Sequence, residues 1–300
     1  MRIAVTGGAG QLVNSLAERG PLIGHDVIAV GPPVLDLAVP GDDAVRAALD
    51  AAHADVIVNA AAHTAVDKAE SEPDLVFAIN AAGAGAVARA AARIGVPLVH
   101  ISTDYVFAGD KKEPYVESDP TNPAGVYGAS KLAGEQAVLA SGADVAILRT
   151  AWVYSPFGTN FIKTMLRLAE ARDEVGVVGD QYGNPTSALD LADAVIAVAQ
   201  NMLDGRDVRH RGIFHAAGRG EATWADLAEI VFAASATMGG PSARVKRITT
   251  ADYPTPARRP SNSRLDCTAL FARHGVSFPD WRDSVAAVTA RLIDEKATTA

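Results

Sequence analysis

Tyr127 and Lys131 stand four apart in AGVYGASKLAGE (residues 124–135), a spacing that puts both on one face of a helix. A free phenol ionises near pH 10 and exchanges protons poorly at neutral pH. A lysine ammonium roughly 4 Å away is worth about 4 kcal/mol at an effective dielectric near 20, before desolvation offsets part of it. That is enough to lower a phenol by up to about three pH units, towards a working acid. Thr103 closes the run PLVHIST (97–103) and can donate to an oxygen on which charge develops. Together the three suit protonation of a carbonyl oxygen while hydride reaches its carbon. Singly, each has a plainer reading: a Tyr–Lys pair decorates many helices, and a hydroxyl at a strand end commonly bonds the backbone.

Hydride chemistry needs a nicotinamide site, and Thr6-Gly7-Gly8-Ala9-Gly10-Gln11-Leu12 follows the first apolar run directly. Glycines between a first strand and a first helix let backbone N–H groups approach a pyrophosphate at the helix N-terminus. Two features depart from the usual fingerprint. Val13 occupies the position of the third glycine, which predicts a first helix set slightly farther from the sheet. Val30-Gly31-Pro32-Pro33 stands where an acid would hold the ribose of NAD, and no arginine replaces it. The choice between NADPH and NADH is therefore not encoded visibly, and Asp36 is the next acidic candidate.

The elements that must position these groups alternate. RIAVT (2–6), DVIAV (26–30), DVIVNA (55–60), 97–103 and DVAILRT (144–150) read as buried strands, with helical patterns near 11–19, 42–52, 73–94 and 127–141. This predicts an α/β class, a Rossmann-like doubly wound parallel sheet. After residue 152 the rhythm loosens: helical patterns at 158–172, 188–203, 223–238 and 280–295 mix with Pro- and Gly-rich segments. The expected organisation is an NAD(P)-binding domain over 1–152, with 188–217 returning to it. A smaller C-terminal substrate-binding lobe would comprise 153–187 and 218–300 and close over the carboxyl ends of the strands.

Bulk properties narrow the class. The chain has 300 residues, 49% of them apolar, and a net charge of −8 from 27 basic and 35 acidic side chains. That charge argues against a nucleic-acid or anionic-membrane partner. The lone Cys267 allows no intrachain disulfide. The apolar run at Ile3–Val5 is too short for a secretory signal, and no apolar stretch approaching the ~18 residues of a membrane span is expected. A cytoplasmic location fits. The six histidines other than His63 show no metal-ligand spacing.

With TGxxG at Thr6–Gly10 and Tyr-x-x-x-Lys at Tyr127–Lys131, the chain resembles the extended short-chain dehydrogenase/reductases. More closely it is similar to their dTDP-4-dehydrorhamnose reductase branch, through NAAAHTAVDKAESEP (59–73), HISTDYVFAGD (100–110), VYGASKLAGEQAV (126–138), DQYGNPTSALDLAD (180–193) and RRPSNSRLD (258–266). The resemblance spans essentially the whole chain. It implies reduction of a 4-keto sugar nucleotide by NADPH or NADH, in a monomer or homodimer. It also implies roles. Tyr127 would be the proton donor, Lys131 its partner and Thr103 the group tuning proton transfer. Gly7, Gly10, Gln11, Leu12, Asp36, Leu37, Ala62, His63, Thr64, Tyr127 and Lys131 would contact the dinucleotide. Thr103, Asp104, Tyr127 and Trp152 would meet the sugar nucleotide. Family members that bind magnesium use glutamates where Ser15 and Leu189 stand here, so no metal is expected.

Other signals stay open. Trp152 suits a core aromatic or a pocket wall, and His63 a cofactor contact or a cap. Arg258 or Arg259 could meet a diphosphate. Gln181, Asn184 and Thr186 suit turn chemistry, and Thr223–Asp226 a helix cap. Rivals are another dTDP-4-keto-6-deoxysugar reductase, a 4,6-dehydratase, an epimerase and a non-catalytic protein like a methionine adenosyltransferase regulatory subunit. A dehydratase needs a second carboxylate where Tyr105 follows Asp104. An epimerase would retain tightly bound NAD.

Overall fold

The computed structural model describes residues 1–205 and 207–299. Its main sheet has six parallel strands in the order β10-β5-β4-β3-β1-β2. They are β1 (Arg2–Thr6), β2 (Asp26–Val30), β3 (Val56–Asn59), β4 (Leu98–Thr103), β5 (Val145–Thr150) and β10 (Gly212–His215). The first five match the expected runs to within a residue. β10 is a four-residue strand after a basic turn, too short for the hydropathy pattern to mark.

Side chains alternate across the sheet as a pleated strand requires. Ile3, Val5, Val56 and Val58 face one core, closed by α1 (Gln11–Leu22) and α8 (Ala188–Asp204). Ala4 and Ile57 face the other, closed by α2 (Asp42–Asp50), α5 (Ala84–Ile94) and α6 (Val126–Leu139). Both faces are covered, which is why the strands are continuously apolar. Val13 lies in the first core at 3% exposure, with its Cγ2 beside Gly7. The helix therefore packs here through a side chain where the fingerprint uses a glycine.

Two short helices, α3 (Val66–Ala69) and α4 (Pro73–Phe77), precede a π-helical stretch, Ala78–Gly83, that runs into α5. The helical segment Pro73–Ile94 is long and apolar enough, by length and composition, to cross a bilayer, against the expectation that no such stretch exists. Its apolarity is spread over alanines and glycines, so no run of large side chains announces it, and here it packs against α2 and α6.

The remaining elements form a third core around Tyr154, Ile162, Leu227, Val231, Phe232 and Trp281. They are β6 (Val153–Tyr154), α7 (Phe161–Ala169), β7 (Glu174–Val178), β8 (Tyr182–Gly183), β9 (Thr186–Ser187), β11 (Ala222–Thr223), α9 (Trp224–Thr237), β12 (Arg244–Ile248) and α11 (Trp281–Thr299), while α10 (Thr268–His274) sets Leu270 in the first core. β7 pairs with β12, β8 with β11 and β6 with β9, each as a two-stranded sheet. Thr223 and Asp226 form the expected capping box.

Helix α6 is held at its start and along its length. Glu70 accepts from the Val126 N–H (2.9 Å) at its start, where a carboxylate favours the helix dipole. Further along, a Cβ at Gly134 would overlap the Asn80 carbonyl oxygen of the π-helical stretch. Gly134→Ala would gain about 1 kcal/mol of helix propensity but lose roughly 1–3 kcal/mol or more to overpacking. The net expectation is a lower urea midpoint with an unchanged slope. An unaltered midpoint would show that α6 can move off this contact freely.

Candidate active site

In the order of the sheet, β1 lies between β2 and β3, so the connections leave it in opposite directions and open a crevice at the carboxyl ends. Thr6 ties the two strand ends together there: its hydroxyl donates to Asn59 Oδ1 (2.7 Å) and accepts from the Ala61 N–H (3.1 Å). Gly7 then turns the chain at φ +111°, and α1 starts behind Gly10 with no side-chain cap and no acid in its first turn. Its first N–H groups are left for an anion. A cavity of about 270 Å³ opens beside them, lined by Gly7, Gly8, Gly10, Val30, Asp36, Leu37 and Ala60–Ala62 among others. At Gly31, where the ribose-binding acid was expected, a Cβ would press on the Gly7–Gly8 backbone. Apolar walls around a glycine-lined helix terminus fit an adenine and a pyrophosphate.

The dinucleotide residues implied by the resemblance divide. Gly7, Gly10, Asp36, Leu37 and Ala62 line the cavity. Leu12 is buried in the core, and only its backbone is available. The Gln11 side chain turns away instead: its Oε1 accepts from Ser155 (2.8 Å) and Asn160 (3.1 Å). His63 and Thr64 do not line this cavity. The His63 backbone is gripped at both N–H and carbonyl by the Asn80 amide, which also donates to Ser130 on α6 (3.0 Å). That bond sets the loop after β3 beside the helix of Tyr127, and Thr64 is exposed.

Thr103, Asp104 and Tyr127 do converge. The Thr103 hydroxyl donates to Asp104 Oδ1 (2.8 Å) and lies beside the Tyr127 phenol. Lys131 corrects the expectation. Its amine is buried at 3% exposure and donates to the Ile101 carbonyl (2.7 Å), not to Tyr127. A buried ammonium needs an acceptor, and the strand carbonyl beneath the helix provides one. Burial accordingly pushes the Tyr127 phenol above its ordinary range, with the Asp104 charge adding to this and the Thr103 hydrogen bond opposing it. Burial lowers the Lys131 ammonium to about 8, partly countered by Glu135. The same cause raises the Asp104 carboxyl to about 6, and its Oδ2 is buried without a partner.

Several groups here escaped sequence reasoning. Glu135 stands one turn beyond Lys131 and receives Ser102 (2.5 Å) and a bidentate Arg149 (2.9 and 2.7 Å). Arg149 also covers the Phe107 ring at 5.0 Å. Two signals pointed to this pair: the i,i+4 spacing to Lys131, and a charge inside the apolar strand VAILRT. His100, fully buried, shares Asn59 (3.1 Å) and is held neutral first by burial and then by the Lys131 charge.

Trp152 follows β5 at φ +48°, an uncommon conformation for a bulky residue. Its ring stacks on Trp224 (3.6 Å between centroids), lies so close to Gly183 that a Cβ there would overlap it, and donates to Ser263 (3.1 Å). The ring is thus held rigidly by three segments. Thr186 makes the expected local turn bond to the Asn184 carbonyl (3.0 Å), whereas the Asn184 side chain joins distant segments, donating to the Gly220 carbonyl (2.6 Å) and accepting from the Leu265 N–H (2.8 Å). Ser15 is buried and bonds the Gln11 carbonyl. Among the described residues no group of three or more His, Cys, Asp or Glu could hold a metal.

Two outcomes follow from these ionisations. The folded Asp104 keeps its proton up to about pH 6, whereas the unfolded chain loses it near 3.8. The group therefore costs stability as pH rises through that window, and fully above it. Asp104→Asn should stabilise the protein by on the order of 2 kcal/mol at pH 7, with the gain vanishing near pH 4; thermal melts at both pH values check this. The Lys131 amine loses its charge as pH rises through about 8, so kcat/KM for the nicotinamide cofactor should fall there. A flat profile across that pH would count against a role for the charge.

Comparison with known proteins agrees with this geometry. Residues 1–293 match the model of the RmlD substrate binding domain family. A dTDP-4-dehydrorhamnose reductase of Sinorhizobium fredii is 48% identical over 294 residues, covering 98% of this chain and 97% of that protein. One from Escherichia coli is 42% identical over 305 residues, covering 100% and 99%. The crystal structure of a dTDP-4-dehydrorhamnose reductase of Clostridium acetobutylicum is similar at a TM-score of 0.88 and 38% identity, over 97% of this chain and 99% of that one. That of the Bacillus anthracis enzyme, solved in complex with NADP, reaches 0.88 at 33% identity, with the same coverage. By the extent of these matches, the chain belongs to the RmlD substrate binding domain family.

Proposed function

We propose that this protein reduces the 4-keto group of dTDP-4-dehydro-L-rhamnose to give dTDP-L-rhamnose, using NADPH or NADH. The observation that carries the reading is the meeting of Thr103, Asp104 and Tyr127 at the tip of β4, on the same sheet edge as the glycine-lined cavity. The dinucleotide, bound at Gly7–Gly10, supplies the hydride.

The chain's own residues would do the rest. Tyr127 gives its proton to the sugar oxygen as charge develops there. Thr103 would steady the resulting phenolate by turning its hydroxyl proton from Asp104 to it, the one neighbour that lowers this phenol. Lys131 faces the nicotinamide ribose while anchored on β4. Trp152, braced by Trp224 and Ser263, walls the sugar. Water is excluded by the burial of Thr103, Asp104 and Lys131, which strengthens each of these interactions. A dehydratase would need a second carboxylate after Asp104, and Tyr105 fills that place.

We read 1–152 with 188–217 as the nucleotide half, and 153–187 with 218–300 as the sugar half. Support comes from β10 and α8 packing with the first five strands. The proposed setting is the cytoplasm, as monomer or homodimer.

A coupled assay tests the reading: dTDP-glucose with the upstream dehydratase and epimerase, following NADPH and NADH oxidation and identifying the sugar formed. A product other than dTDP-rhamnose would make this a reductase of a related keto sugar. Tyr127→Phe should lower kcat by roughly two to four orders of magnitude, with cofactor affinity little changed. Near-full turnover in that variant would remove Tyr127 from the role.

A further inference from the structure

Arg258 or Arg259 could have met a diphosphate, yet Arg259 is engaged on both sides. Its Nη2 pairs with Asp67 Oδ2 (2.6 Å) and its Nη1 donates to the Tyr105 hydroxyl (3.0 Å). Asp67 uses its other oxygen to accept from the Ala257 N–H (3.2 Å). Asp67 lies on α3 after the third strand, 192 residues before Arg259. Tyr105 stands two residues past Thr103, and its ring meets the Tyr127 ring edge-on, 5.5 Å between centroids at 73°. The contact is enforced from beneath: a Cβ at Gly128, next to Tyr127, would overlap the Tyr105 carbonyl oxygen. Neighbouring Arg258 is exposed.

We propose that Arg259 is a positioning residue, which with Asp67 and Tyr105 forms a latch from the 257–259 segment to α3 and sets the orientation of the Tyr127 ring. The inference rests on reading Tyr127 as proton donor. A lone, partly exposed ion pair contributes little. Here, however, one guanidinium joins two elements, and its second partner is a ring in contact with the reacting one. Only a planar fork reaches the carboxylate and the hydroxyl together; a lysine offers one point charge. Tyr105 accepts from Arg259, so its ring is fixed at the hydroxyl end by the latch and at the backbone end by α6. Freedom of that ring is passed directly to Tyr127. Misplacement of a reacting group by about 1 Å costs up to a hundredfold.

Steady-state kinetics of the full-length protein test the latch, with thermal melts confirming that each variant folds. Tyr105→Phe keeps the ring and loses the anchor; Arg259→Lys keeps the charge and loses the fork. Each should lower kcat about tenfold while KM for NADPH stays within about twofold, and the double variant should fall no further than either single. Asp67→Asn, the mildest change, should lie between wild type and these. Unchanged kcat in Tyr105→Phe and Arg259→Lys would overturn the proposal, leaving the contact a structural tie. So would a loss confined to KM for the sugar nucleotide, which would make Arg259 a substrate ligand. Tyr127→Phe in the same series separates the two ideas. If it alone is inactive, the latch fails and the proton donor stands; if it is fully active, the donor assignment itself fails.

Discussion

Helix α6 brings Tyr127 and Lys131 over the tip of β4 because two of its residues have no side chain. At Gly128 the helix rests on the Tyr105 carbonyl, and at Gly134 on the Asn80 carbonyl. A methyl group at either point would lift the helix from the strand end. Interiors packed to crystal-like density transmit such shifts rather than absorb them. The phenol would then leave Thr103, and the amine would leave the Ile101 carbonyl. The placement of the candidate site is therefore first a matter of how closely one helix can approach a sheet.

That approach buries charge, and the structure answers by pairing it. Lys131 takes a backbone carbonyl. Glu135 takes Arg149 through two bonds and Ser102 through a third. His100 stays neutral against Asn59. Such pairs are weak sources of net stability, since desolvation offsets the attraction, but they are costly to leave half made. Their effect is to hold the underside of α6 in one arrangement. On the upper side, Asp104 keeps an unpartnered buried oxygen, which costs stability.

The elements after residue 152 are tied to those before it at points around the same site. Gln11 reaches Ser155 and Asn160. Trp152 reaches Ser263 and Trp224. Arg259 reaches Asp67 and Tyr105. Trp152, the start of α1 and Tyr127 thus share supports, so that strain in one is felt by the others.

Much of this was legible from residue order alone. Continuous apolar runs alternating with helical patterns dictated the parallel sheet. The glycines at 7–10 marked the helix terminus, and the Tyr127–Lys131 spacing marked one helical face. These are local or periodic signals, set by backbone geometry that each segment carries with it. What the order could not decide was which partner each polar group would choose. Spacing put Lys131 beside Tyr127, yet a buried amine bonds the nearest available acceptor, and only the stacking of α6 on β4 made that Ile101. Likewise the Gln11 side chain bonds residues more than 140 positions away, and Arg259 was claimed by Asp67 and Tyr105. Hydrogen bonds and ion pairs fall off within a few ångströms, so their choice belongs to tertiary proximity, which the chain acquires only by folding.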